Sequence, residues 1–492
     1  MIRLSILEEN EVEAIHQATL RILNETGVML TETKSRILLA EAGATVLENR
    51  VLLPPELVEK CIELAGKKTT IRGRGGAVKT LGDGSLYFHN LGGAPQVYDA
   101  GSGTRHRATV QDVRDATRLL DALENCHTIT PFFTPTEVPG GVMSLAMYRH
   151  ALPFTEKPLQ GPGVQYAAEA RYAVKMAEVI GTPAEVLTLA LSPVSPLTLP
   201  DHEAEAIMEI ARLGIAFAPL PCPTAGTTAP FSIAGSIAQQ NAEVLAALVL
   251  AEIVQPGLPI IYCGRLAMME PRTGLSVWGG VEMGLASAGT VQIGHRYGLP
   301  VNVYGFSTNA HNLDAQDGFE RALNAAIPAL AGADELSGIG EMEAGVMGSY
   351  AQMVVDNEFA GSICRIRKGF ATDADALAVE VIARVMASTR NFLGQKHTMK
   401  YLKSGEVFVT KLAERGSWER WEAGGRVGMV ERAQAEAERI LREHQVPPLE
   451  AAQERELDAI LKGAERDLVK YSYAKDTTPN PLIRGGRSPH IY

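Results

Sequence analysis

The strongest constraint on the fold of this chain is a rhythm. From Asn125 onward, short apolar, β-rich runs alternate with helical segments. The runs are NCHTITPFF (125–133), LPFTEKPLQG (152–161), VLTLALSP (186–193), AFAPLPCP (216–223), PIIYCGRL (259–266), PVNVYGFSTN (300–309), DELSGIGEM (334–342) and QMVVDNEF (352–359). The segments between them carry helix signatures. Asp201 can cap one that holds Ile207, Ile210 and Ala211 and closes at Gly214. Val244, Leu245, Leu248 and Val249 stripe another, closed by Pro256 and Gly257, and Leu377, Ala378, Val381, Ile382 and Val385 stripe the last. Continuous apolar strands between striped helices indicate buried parallel strands in βα units. Eight such units predict an α/β fold, a (β/α)8 TIM barrel over 125–395. A doubly wound open sheet is the structural alternative; the count of eight favours closure.

The flanks read differently. Residues 1–124 are predicted to hold N-terminal helices and a small β region. A helix is expected from Leu7 to Glu25, with Ser5 and Glu8 as a capping box and Gly27 as its stop, and a second from Thr33 to Ala42. The segments TTIRGRGG, VKTLGDGSLYFHN and QVYDAGSGTRHRAT read as a small antiparallel sheet with hairpins, before a helix from Asp112 to about Leu123. Residues 396–492 are expected to form a C-terminal helical extension, with helices at 427–444 and 450–470 and a tail, YAKDTTPNPLIRGGRSPHIY, that is either disordered or ordered on contact.

Composition removes several function classes. Lys plus Arg is 46 against 57 for Asp plus Glu, a formal net charge of −11. That is the wrong sign for a nucleic-acid or anionic-lipid partner, and neither is expected. The five cysteines are isolated and form no C-x-x-C, so a reduced, cytoplasmic setting is expected rather than a disulfide framework. The acidic start MIRLSILEENEVEAIHQ lacks the basic opening and apolar run of a signal peptide, and no run of ~18 uninterrupted apolar residues suggests a membrane span.

In a barrel the chemistry sits at the C-terminal ends of the strands. His127-Thr128-Ile129 lacks the paired imidazoles of a metal barrel, and Cys222 and Cys263 have no companions, so no metal is expected. Lys157 could form an imine, although a lone strand-end lysine more often pairs with a carboxylate. The glycine-rich stretches GRGGAVKT and LGGAPQVYDAGSG fit no phosphate-binding pattern and read as hairpins, and Gly348-Ser349-Tyr350 lacks the nucleophile-elbow pattern. What remains is a strand-end set of aromatics, amides and carboxylates: Tyr262, Tyr304, Phe306, Asn309, His311, Gln316, Glu343, Gln352, Asp356 and Asn357. Such a set suits a cationic organic ligand such as a quaternary ammonium. The blander reading is that half of these residues fill barrel layers or cap helices.

The stretch Gly305-Phe306-Ser307-Thr308-Asn309-Ala310-His311-Asn312-Leu313-Asp314-Ala315-Gln316-Asp317-Gly318-Phe319-Glu320 is followed by ALAGADELSGIGEMEAG and QMVVDNEF. PTAGTTAP (223–230), QQNAEVLAALVLAEIVQPGLPIIY (239–262) and HQVPPL (444–449) accompany it. In this order, with D-x-Q-x-G-x-E, A-G-A and V-D-N, the sequence resembles the trimethylamine methyltransferase family of corrinoid-dependent enzymes over nearly its whole length. The family's (β/α)8 barrel agrees with the count of eight. The archaeal trimethylamine enzymes carry pyrrolysine just after the glycine that opens the motif; the equivalent here is Ser307, with Phe306 beside it. The chain therefore resembles the non-pyrrolysine branch, whose members demethylate glycine betaine, proline betaine and carnitine.

That resemblance implies methyl transfer from a quaternary amine, glycine betaine first, to cob(I)alamin, giving methylcobalamin on a separate corrinoid protein. No tightly bound cofactor is implied, and the chain has no corrinoid-binding D-x-H-x-x-G. A quaternary ammonium already has a neutral leaving group, so the enzyme need only desolvate the cation and aim one methyl. Ser307 and Glu343 are the expected catalytic residues, Ser307 leaving room where pyrrolysine would project and Glu343 attracting the cation. Tyr304 and Phe306 are expected to face the trimethylammonium, Arg265 or His311 to hold a substrate carboxylate, and Asn309 and Tyr98 to line the pocket, with His89 another candidate at the mouth. A homo-oligomer is expected. The competing readings are a metal-dependent or Schiff-base lyase barrel enzyme and a non-catalytic betaine-binding member.

Overall fold

Eight parallel strand segments close into a ring, and the order around it follows the chain. In the computed structural model, which describes residues 4–472, the first strand is Tyr87–Asn90. Segments around 128–130 and 159–163 follow, joined by single bridges: His89 to Thr128, Ile129 to Leu159 and Gly163 to Ala190. Then come Thr188–Leu191, Ala216–Pro219, Tyr262–Gly264, Val301–Tyr304 and Glu335–Ile339. The last strand pairs in parallel with the first, Glu335 opposite Tyr87 and Leu336 opposite Phe88, which closes the barrel. A helix follows every strand; the helix after the eighth is Tyr350–Lys368.

The barrel is as expected, but its membership differs by one segment at each end. The ring opens at Tyr87, inside the stretch read as antiparallel hairpins. Tyr87–Asn90 is four residues long and ends in the polar pair His89 and Asn90, so it shows no apolar run. Two antiparallel hairpins flank it, Thr69–Arg72 with Val78–Leu81 and Gln96–Asp99 with Thr104–Arg107. At the other end, QMVVDNEF is not a strand: it lies in the helix Tyr350–Lys368, packed between Ala315–Ala331 and Met429–Glu443. A short apolar run buried on two sides carries no period that tells helix from strand. The stripe from Leu377 to Val385 falls beyond the barrel, in the short helices Ala374–Leu377 and Val379–Met386.

Other elements lie close to expectation. The first helix is Glu9–Arg21, continued by a wider turn over Ile22–Thr26 and stopped at Gly27, whose φ is 72°. Its capping box joins Glu8 and Glu11, while Ser5 Oγ donates to the Leu7 carbonyl at 2.8 Å. The C-terminal helices are Met429–Glu443 and Ala451–Ser472. The expectation for the tail concerns residues outside those described. Among the described residues one helix, Ile233–Val254, is long and apolar enough to cross a membrane, but 89% of its apolar window is buried in protein. It packs against Glu9–Arg21, Pro55–Leu64 and Asp201–Arg212, which is why it is apolar on all sides.

The hairpin Thr69–Leu81 closes the lower end of the barrel. Gly82 lies against Pro300, and Gly73 against Glu156 and Lys157, all at the entry ends of strands. From there Leu81 joins Ala218, Ile261 and Cys263 inside the ring.

One close approach defines the upper end. Gly340 follows the eighth strand at φ 86°, where a Cβ would stand 2.6 Å from Met353 Cγ and 2.8 Å from Phe132 Cε2. Gly340→Ala is therefore expected to lose about 1–3 kcal/mol through strain and overpacking, read as a lower urea midpoint.

Candidate active site

The strand ends surround a cavity of about 520 Å³ at the barrel mouth. Its walls include Asn90, Thr130, Gly161, Arg265, Tyr304 and Ser337, each at or near the C-terminal end of its strand. The volume suits a small organic molecule.

Its floor is a buried polar network. Lys79, on the hairpin below, forms an ion pair with Glu335, and both are almost fully buried. Glu335 Oε2 accepts from Asn302 Nδ2 at 2.5 Å and from Gln160 Nε2 at 3.1 Å. Burial by itself would raise the Glu335 carboxyl; the Lys79 ammonium outweighs it, with His89 adding to the effect, and holds it at about 2. His89 lies next to Asn302, 2.9 Å from Nε2, and burial lowers its pKa to about 4, so the ring is neutral near pH 7.

Asn302 carries the order upward to Arg265. The guanidinium donates to the carbonyls of Gly264 (3.1 Å) and Asn302 (3.0 Å) and to Asn302 Oδ1. It also lies over the Tyr304 ring, 4.4 Å from the centroid. Trp278 meets the same ring at right angles, at 5.4 Å. Arg265 is thus a fixed cation on the cavity wall, 3% exposed.

The expected site residues separate into groups. Arg265, Tyr304 and His89 meet at the cavity. One face of the Tyr304 ring is taken by Arg265. Phe306 is not at the cavity: it is fully buried and meets Phe88 edge to face at 5.7 Å. Ser307 is also fully buried, its hydroxyl donating to Glu341 Oε2 at 2.9 Å. Burial pushes the Glu341 carboxyl up to about 8. Asn309 serves the backbone, its Oδ1 accepting from the amides of Trp278 and Gly279, both at 2.8 Å.

Glu343, His311 and Tyr98 lie together on the rim, away from the cavity lining. Glu343 pairs with Arg105 at 3.0 Å and with His311 at 3.3 Å, and the His311 side chain is 74% exposed. Tyr98 donates to Asn312 at 2.8 Å. Glu343 and Ala344 both take left-handed conformations, φ 49° and 57°, which turn this loop back so that Ala344 N donates to the Thr308 carbonyl at 2.7 Å.

Several strand-end candidates are structural. Tyr262 points out of the barrel, its hydroxyl donating to Asn241 of the core helix at 2.8 Å. Gln316 donates to Glu320, whose other oxygen accepts from Thr308 Oγ1 (2.6 Å) and Asn309 N (2.8 Å). Asp356 accepts from Arg321, Gln352 and the Gly340 amide, and Asn357 binds Asn125. The D-x-Q-x-G-x-E and V-D-N residues therefore hold the loops in place. Lys157 is half-buried at the barrel's lower end, donating to the carbonyls of Leu120 (3.1 Å) and Leu123 (2.6 Å), so it does not reach the mouth and the imine reading loses its lysine. Among the described residues no group of three or more His, Cys, Asp or Glu could hold a metal ion.

The network residues Lys79, Gln160, Asn302 and Glu335 were not singled out in the sequence. The available signal was a polar residue inside an otherwise apolar strand run, as in PVNVYG and DELSG.

Comparison with known proteins gives concordant results. The profile of the trimethylamine methyltransferase (MTTB) family matches residues 1–467. The chain is 30% identical over 467 residues to glycine betaine methyltransferase of Desulfitobacterium hafniense strain Y51, covering 93% of this chain and 96% of that one. It is 29% identical over 450 residues to trimethylamine methyltransferase MttB of D. hafniense strain DSM 10664 / DCB-2, covering 90% of each chain. Among solved structures, the monomethylamine methyltransferase MtmB of Methanosarcina barkeri aligns over 94% of this chain and 92% of that one, at 13% identity and a TM-score of 0.48.

Lys79→Met is expected to cost about 3–5 kcal/mol by leaving the Glu335 charge uncompensated. The pH dependence of stability should also invert. In the wild type, Glu335 lies below its ordinary 4.5, so its contribution is present above that pH and lost in acid. In the variant burial prevails, the folded carboxyl rises, and stability falls as pH increases past 4.5. Urea titrations at pH 4, 6 and 8 distinguish the two patterns.

Proposed function

Because the chain belongs to the trimethylamine methyltransferase family, we propose that it is a methyltransferase that takes a methyl group from a quaternary amine, glycine betaine first, and passes it to cob(I)alamin on a separate corrinoid protein. The observation that carries this reading is the cavity itself: a small chamber at the barrel mouth with one immobilised guanidinium in its wall. A betaine presents the complement, a carboxylate on a compact cation. Arg265 would hold the carboxylate, since its planar group suits two-point contact. The Tyr304 ring and the Asn302 oxygens fix that guanidinium before substrate arrives, so little ordering cost remains.

The reduced corrinoid is the second substrate and supplies the electron pair that forms the carbon–cobalt bond, while the pair of the broken carbon–nitrogen bond leaves with dimethylglycine. The protein's part is to bind, orient and exclude water. A cavity of about 520 Å³ is ample for a betaine, and the corrinoid, carried on its own protein, would meet it at the mouth. Ser307 supports a quaternary over a tertiary amine. By the resemblance to the archaeal enzymes, it or its neighbour Phe306 stands where they carry pyrrolysine, and the Ser307 hydroxyl is bonded to Glu341. A neutral tertiary amine would need activation; a quaternary one does not. The position of Lys157 disfavours a Schiff-base lyase.

The test is a panel of glycine betaine, proline betaine, carnitine and trimethylamine with cob(I)alamin, followed by the visible spectrum. Methylcobalamin is expected with glycine betaine and not with trimethylamine. Its absence with every betaine defeats the reading, and betaine binding without transfer would favour the non-catalytic alternative. Arg265→Met should lower kcat/KM for glycine betaine by about 10- to 100-fold, from the loss of charge-assisted hydrogen bonds worth ~1.5–3 kcal/mol, mainly through KM.

A further inference from the structure

The helix Asp201–Arg212 brings Glu203 to the cavity wall beside the fourth and fifth strands. Glu203 is 7% exposed, and its Oε2 has no hydrogen-bond partner among the described residues. Burial pushes this carboxyl up to about 8, with no charge or hydrogen bond among the described residues to bring it back. The other acids on the cavity are provided for. Glu169 Oε2 accepts from the amides of Gln165 (2.7 Å) and Tyr166 (3.0 Å), and Glu335 is paired with Lys79. Such a carboxyl keeps its proton near pH 7 in the free protein, and a cation arriving at the edge of this ligand-sized space would favour its charged form, the proton leaving to solvent.

A quaternary ammonium matches this oxygen in a way that lysine, arginine or an amide does not. It has no N–H, so it needs no aligned hydrogen bond and is held by charge and by contact with its methyl groups. Resting on the reading above, we propose that Glu203 is the counter-ion of the substrate's quaternary ammonium group, a specificity-determining residue that selects a cation over a neutral group of the same shape. With Arg265 on another wall, the pair would fix which end of a zwitterion points which way. Glu203 is then a binding group and takes no proton from the methyl donor.

The experiment compares glycine betaine with 3,3-dimethylbutyrate, its isostere with a neutral carbon in place of nitrogen, by titration calorimetry on the intact protein. The wild type is expected to bind the betaine at least about tenfold more tightly. Glu203→Gln should bring the two affinities to within about threefold by weakening the betaine, leaving dimethylbutyrate unchanged. Glu203→Asp, which keeps the charge but withdraws it, should weaken the betaine several-fold and spare the isostere, and it serves if the glutamine variant does not fold. An unchanged preference in Glu203→Gln, or unchanged betaine affinity in Glu203→Asp, overturns the inference while leaving methyl transfer standing. A wild type that binds no quaternary amine overturns the functional reading as well.

Discussion

Inside the barrel, beneath the cavity, an ammonium and a carboxylate face each other away from water. A buried ion pair is a poor source of net stability, because desolvating both charges offsets most of their attraction. Its value here lies in what it orders. Lys79 keeps Glu335 charged; Glu335 accepts from Asn302; Asn302 gives its carbonyl and side-chain oxygens to Arg265; and Arg265 lies over the Tyr304 ring. Each link fixes the orientation of the next, so a charge at the bottom of the barrel sets the angle of a guanidinium near the top. In a region of low dielectric such a chain is stiff, and loss of any one member leaves the next unsatisfied.

The barrel top is divided between two kinds of polar group. Around the cavity, Arg265, Lys79, Asn302 and Glu335 are held almost without exposure, whereas Glu343, Arg105 and His311 form an open cluster in which charge is screened by solvent. The loop from Gly305 to Asn312 separates them, and Glu320, Asn309 and Arg321 hold that loop in place. This accounts for the long motif Gly305–Glu320: most of its polar residues are committed to the loop that shapes the mouth, and few are available to touch a ligand.

The barrel was legible because its helices are striped and most of its strands are apolar. The first strand was not, because a strand that ends in a polar cavity replaces apolar residues with His89 and Asn90 and so loses its signature. The eighth run misled for the opposite reason: Met353, Val354 and Val355 are buried on a helix sandwiched between others. At the site, Arg265 and Tyr304 could be placed by counting to strand ends. Phe306, Ser307 and Asn309 could not, since the chain leaves the ring at Gly305 and Phe306 takes a left-handed turn, φ 58°, that a linear count does not register. Glu203 lies on a helix rather than a strand end, and a helical glutamate near an N-terminus reads as ordinary solubility.

The hairpin that delivers Lys79 precedes every strand of the ring, whereas its partner Glu335 is in the last one. The barrel is therefore not a cassette that can be cut out at its first strand. Excised without residues 69–81, it would keep all eight walls and yet seal a bare carboxylate in its centre. The two ends of the ring's history, one made before it and one completing it, have to meet before that carboxylate has its counter-ion.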